Sequence, residues 1–113
     1  VRVIMNPGGT NEAFVRARLA HANVRVFADN RAIFDELVEG RADVMITDDV
    51  EAELQHRRHP TLCRTTKLTF TEASKAWLVQ PDDTLVSAVD RWLTDRLHDG
   101  TVARLLRRAL VEH

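Results

Sequence analysis

Cysteine is almost absent from this sequence. Cys63 stands alone, so no disulfide can form within the chain, and its polar neighbours mark it as a spare thiol. A basic excess is missing too: 16 Lys and Arg against 17 Asp and Glu leave a formal net charge of −1. That excludes the strong positive field of a nucleic-acid binder. The late basic residues, Arg57 with Arg58 and Arg104 with Arg107 and Arg108, have no aromatics interleaved and read as solvated helix faces. No apolar run approaches the ~20 residues of a membrane span. No signal peptide is visible either, and the chain starts at Val1 already inside an apolar strand, so it reads as a processed or excised piece. His56 and His59 are three apart but lack a third ligand, and Arg57 and Arg58 between them would repel a cation, so no metal is expected. No Ser-His-Asp pattern, phosphate loop or cysteine pair appears.

What is present is enough for one domain. The 113 residues are 44% hydrophobic and 29% charged, a globular balance. A chain of this length buries roughly two-thirds of its unfolded surface in one modest core.

The pattern alternates strand and helix. Val1 to Met5 is an apolar strand that runs into Asn6-Pro7-Gly8-Gly9. A helix follows, Glu12 to Ala20, with Phe14, Val15, Leu19 and Ala20 approximating one face, and Thr10 or Asn11 placed to cap it. Val24 to Phe27 is a second strand; Asp29 or Asn30 caps a helix from Arg31 to Glu39 that buries Ile33, Phe34, Leu37 and Val38. Gly40 stands where a left-handed helix stop belongs. Ala42 to Ile46 is a buried third strand, and a helix from Asp49 to about His56 places Val50 and Leu54 on one face. This rhythm predicts an α/β fold with a parallel sheet. Beyond an irregular stretch from His59 to about Lys67, short strands are expected at Leu68 to Phe70 and Lys75 to Val79. Asp82 and Asp83 then cap a helix from Thr84 to His98, and Thr101 caps a last helix carrying Val102, Leu105, Leu106, Ala109 and Leu110.

Ligands of open α/β sheets sit outside the carboxyl ends of the strands, where strand order reverses. Two polar clusters fall at such ends: Asn6 to Thr10, and Thr47 to Glu51. In the first, the glycines allow a sharp turn and close approach of the backbone. The helix start that follows attracts an anion, for which the amides near Gly9 and Thr10, the Thr10 hydroxyl and the Asn6 amide are candidate donors. The other reading makes Asn6, Pro7 and Thr10 no more than a turn and a cap.

These residues resemble a known family. Asn6-Pro7-Gly8-Gly9-Thr10-Asn11-Glu12, Asp29-Asn30 with Ile33-Phe34, and Gly40-Arg41-Ala42-Asp43 leading to Thr47-Asp48 are similar to the second lobe of the type 2 periplasmic solute-binding fold. Within it, the Asn-Pro-Gly-Gly turn, Thr47-Asp48-x-Val50-Glu51, His59-Pro60-x-Leu62-Cys63 and Lys75-Ala76-Trp77-Leu78 resemble the cyclohexadienyl dehydratases, the prephenate/arogenate dehydratases. Trp77 stands where that family usually has a tyrosine. The resemblance implies a three-layer αβα lobe with a mostly parallel sheet over residues 1–78. It makes residues 79–113 a helical segment that would pack on a first lobe lying outside this sequence.

The implied activity is loss of carbon dioxide and hydroxide from prephenate to give phenylpyruvate, or from arogenate to give phenylalanine. No metal or organic cofactor is needed, the partner being a small carboxylate substrate, and the implied location is the periplasm. Glu51 is the implied general acid. Asn6, Gly9, Thr10, Asn11, Asp48 and Lys75 would bind substrate, with Asp48 placed for arogenate's ammonium group. Each has an alternative. Asp48-x-x-Glu51 has the spacing of a capping box, which needs no ligand, and Lys75 also reads as a surface residue. A non-catalytic amino-acid-binding protein of a transporter is the competing class. The stripe Leu85, Val89, Trp92 and Leu93 would be exposed in the lone chain and would favour a homo-oligomer or swapped dimer through the C-terminal helices.

Overall fold

The computed structural model describes residues 1–112. The chain divides into two compact units, Val1–Lys67 and Leu68–His113.

In the first unit the order is β1 (Arg2–Met5), α1 (Gly9–Arg18), β2 (Asn23–Val26), α2 (Ile33–Val38), β3 (Val44–Met45) and α3 (Asp49–Arg58). The three strands pair in the order β2-β1-β3, all parallel. Arg2 to Met5 face Asn23 to Val26 on one side, while Val3 and Ile4 face Val44 and Met45 on the other. Successive strand residues point to opposite faces, and β1 uses this fully. Ile4 goes down to a cluster with Ile33, Phe34 and Ala42, backed by Phe27, Leu37, Met45 and Leu62. Val3 and Met5 go up to Val15, backed by Leu19, Ala22, Val24 and Ile46. Helices α1 and α2 therefore cover opposite faces of the central strand, which is the expected α/β layering.

Several expected elements differ in extent. The first helix begins at Gly9, so neither Thr10 nor Asn11 is its cap; Gly8, at φ 81°, holds that position because a left-handed turn there suits glycine. Strand β3 is two residues long and half-buried, being an edge of the described sheet. Val38, Val50 and Ala20 are exposed, and the buried positions of α2 and α3 include Glu36 and Gln55 instead. Glu36 tolerates burial because Arg41 and Arg25 both bond its carboxylate. Gly40 does stop α2 in left-handed conformation: its amide bonds Leu37 and the Arg41 amide bonds Glu36, the paired closure of a Schellman end. Asp29 accepts from the amides of Arg31 and Ala32 at 2.8 and 3.0 Å, which sets the turn into α2.

In the second unit, helices α4 (Asp83–His98) and α5 (Thr101–Glu112) form a hairpin across Gly100. Asp82 caps α4 by accepting from the Leu85 amide at 2.9 Å. At α5 the expected cap moves back: Asp99, not Thr101, supplies the carboxylate, accepting from the Thr101 amide at 2.9 Å. The strands expected at 68–70 and 75–79 do not form. An apolar run becomes a strand only where a neighbouring backbone pairs with it, and residues 68–78 are all exposed, Leu78 completely. The Trp77 ring stacks on Trp92 at 5.9 Å instead. No residue of α4 is buried. Leu85 and Trp92 are exposed, as the stripe reading expects, while Val89 and Leu93 are half-buried. No helix among the described residues is long and apolar enough to cross a membrane.

Candidate functional site

Strand order β2-β1-β3 means the chain leaves β1 to one side for β2 and crosses back to the other for β3. The reversal lies between β1 and β3, so the crevice outside their carboxyl ends is the place for a ligand. The turn Asn6 to Gly9 leaves β1 at that end, and Ile46 to Asp48 leave β3 at the same end. The two polar clusters, about forty residues apart in sequence, meet there. Asn11 Nδ2 donates to Asp48 Oδ1 at 3.5 Å, a long bond that links the start of α1 to the start of α3.

Each candidate residue has a definite position. Asn6 is half-buried, and its Nδ2 donates to the Phe27 carbonyl at 2.9 Å. That bond fastens the end of β1 to the chain leaving β2, so Asn6 braces the turn through its side-chain amide. Gly9 and Thr10 are exposed, and nothing lies within 4 Å of where a Cβ on Gly8 or Gly9 would stand. Among the described residues, no acceptor is bonded to the amides of Gly9, Thr10 and Asn11, three of the four donors that a helix start leaves unpaired. The fourth, the Gly8 amide, donates to Glu12, whose other oxygen receives Arg16 Nε at 2.8 Å. The Gly8 amide and the Arg16 guanidinium hold the Glu12 carboxyl below its ordinary range.

The capping box read from Asp48-x-x-Glu51 is not made. Asp48 precedes α3 in extended conformation but forms no side-chain cap bond. Glu51 turns along the helix, and its Oε1 accepts from Gln55 Nε2 at 2.9 Å. Glu51 is half-buried and Gln55 is buried, so a well-anchored amide orients the carboxylate. Its exposed neighbour Asp49 caps locally, accepting from the Val50 amide at 2.8 Å. Lys75 lies in the second unit, in the irregular exposed stretch before α4.

Two partnerships were missed in the sequence reading, Glu12 with Arg16 and Glu51 with Gln55. Both were visible as i,i+4 spacings of complementary side chains. The Asn11 to Asp48 link had no such signal, because it depends on which strands become neighbours. Of the histidines, His56 Nδ1 lies 2.5 Å from the Leu62 carbonyl, which ties α3 to the loop after it. Among the described residues no group of three or more His, Cys, Asp or Glu is placed to hold a metal ion.

No protein-family model matches the chain. The chain is similar along its full length to the cyclohexadienyl dehydratase of Pseudomonas aeruginosa, at 45% identity over 114 aligned residues. It spans 41% of that protein's length. A crystal structure of an ancestral cyclohexadienyl dehydratase superposes on 97% of this chain and 46% of that one, with a TM-score of 0.59 and 40% identity.

Proposed function

We propose, from this kinship with cyclohexadienyl dehydratase over all 113 residues, that the chain is the substrate-binding second lobe of a two-lobed prephenate/arogenate dehydratase. The observation that carries the reading is the meeting of Asn11, on the helix start after the Gly8-Gly9 turn, with Asp48 at one end of two adjacent parallel strands. Unpaired helix-start amides beside an open turn suit a substrate carboxylate. The Glu51 carboxyl, on the first turn of the helix that Asp48 precedes, suits the proton transfer.

The reaction needs little else from the protein. As the ring carboxylate leaves as carbon dioxide, its bonding electron pair moves into the ring, which becomes aromatic as the hydroxyl departs. The departing oxygen takes a proton and leaves as water. Glu51 is the general acid in this scheme, held in place by Gln55. Gly9, Thr10 and Asn11 bind a carboxylate, Asn6 braces their turn, and Asp48 faces the ammonium group when arogenate is bound. Lys75 is a further candidate for binding a substrate carboxylate. Residues 1–78 make up the lobe, and 79–113 pack on a first lobe contributed by further sequence. In its absence the apolar face of α4 pairs copies of the chain. By family the complete protein works in the periplasm on phenylalanine biosynthesis.

The test is to incubate the complete two-lobed protein with prephenate and follow phenylpyruvate absorbance. Turnover is expected, and Glu51→Gln should lower kcat about 10²–10⁴-fold, the usual contribution of a positioned general acid. Absence of turnover, with amino-acid binding unchanged in Glu51→Gln, would assign the protein to the non-catalytic transport class.

A further inference from the structure

The anion-binding turn already contains an anion. Glu12 lies on the first turn of α1, its side chain largely buried at 20% exposure, and it takes the Gly8 amide for itself. A substrate carboxylate held by the amides of Gly9 and Thr10 would sit within one helical turn of this charge, and like charges at that distance repel. Arg16 removes the conflict. Its Nε and Nη2 reach the same Glu12 oxygen at 2.8 and 2.6 Å, and no other acidic group bonds it among the described residues.

We infer that Arg16 and Glu12 together set how strongly the turn holds a carboxylate, Glu12 orienting the Gly8 amide and Arg16 cancelling the charge that this orientation brings in. The inference rests on the substrate reading above and adds to it a pair of residues that tunes affinity from behind the turn. Neither side chain touches the substrate; both act through the turn. Arg16 is 64% exposed, so its replacement leaves the buried contact of Val15 with Met5 in place.

The pair makes a prediction that a merely structural ion pair does not. In the complete protein, Arg16→Gln leaves Glu12 uncancelled, and KM for prephenate should rise roughly two- to fivefold, the range of a single charge at a helix terminus. Glu12→Gln retains an oxygen for the Gly8 amide, loses the negative charge and leaves Arg16 as a net cation. KM should then fall by a similar factor. In both variants kcat should stay unchanged, and Arg16→Lys should restore most of the wild-type KM. If prephenate binds without turnover, calorimetric Kd values should carry the same opposed shifts, so failure of the dehydratase reading and failure of this inference are separable. Shifts of one sign in both variants, no shift in either, or no carboxylate binding at all would overturn it.

Discussion

The two units of this chain are built on opposite terms. In Val1–Lys67, Ile4, Met5, Val15 and Ile33 are completely buried on the two faces of one short strand. In Leu68–His113, α4 runs for 16 residues without burying one, and Leu85, Trp92, Leu97, Leu105 and Leu106 remain exposed. Apolar burial stabilises a unit roughly in proportion to the area removed from water. The first unit holds itself together by that means. The second relies on helix capping and on the Trp77–Trp92 stack, and leaves large apolar side chains of both its helices exposed.

The sharpest way to break the comparison is core truncation. Ile4→Ala should cost the first unit about 2–5 kcal/mol, as large-to-small changes at fully buried sites do, measured by urea unfolding followed by circular dichroism. Leu97→Ala in the same chain should stay within about 0.5 kcal/mol, as changes at exposed positions do. If the complete protein covers the α4 face, the cost of Leu97→Ala should rise there, which would sharpen the contrast. Next comes Gly40→Ala, which forces a side chain into the left-handed region at φ 72° and should cost about 1–2 kcal/mol. In the second unit, Asp82→Ala removes the cap on the Leu85 amide, and helicity loss near 222 nm should correspond to about 1 kcal/mol.

Acid should distinguish the units by a smaller margin. Glu36 is lowered from 4.5 to about 2, chiefly by the Arg41 side chain and then by Arg25. Asp43 is lowered from 3.8 to about 2, first by the Arg2 side chain and then by the Arg2 amide. Depressed carboxyl groups contribute stability above their unfolded pKa and lose it as pH falls through the folded value. The first unit should therefore weaken between pH 4.5 and about 2, a modest effect because the partner arginines are exposed and screened. Carboxyl signals followed by NMR across that window check the assignment. Arg25→Gln together with Arg41→Gln should move the Glu36 midpoint back toward 4.5.

Much of the first unit was legible in the sequence because its signals are local. The apolar strand ending at Met5 and the helix stop at Gly40 each depend on neighbours within a few residues, and each stands in the structure. Asp29 accepts from the amides of Arg31 and Ala32 as local spacing allows, but α2 begins only at Ile33, so it is not the cap. Part of what failed depends on long-range partners. Lys75 to Val79 has strand-like composition, yet it pairs with no described strand and remains irregular. Other differences are local: the cap expected of Thr101 went to Asp99, and the box that Asp48 and Glu51 could form is unmade, Glu51 pairing with Gln55 instead. At the candidate site, the residue types and their two clusters were readable. The way Asn11 and Asp48 close the gap between them was not, since only the fold decides that β1 and β3 lie side by side.

The two-sided burial of β1 has a mechanical consequence for the turn that follows it. A slip of one residue along its neighbours would send Ile4 toward α1 and Val3 and Met5 toward α2, exchanging every core contact at once. The strand behaves as a key with teeth on both edges, seated in one depth only. Because Asn6 to Gly9 continue that key, the height at which their amides stand above the sheet is set by three buried residues, Val3, Ile4 and Met5.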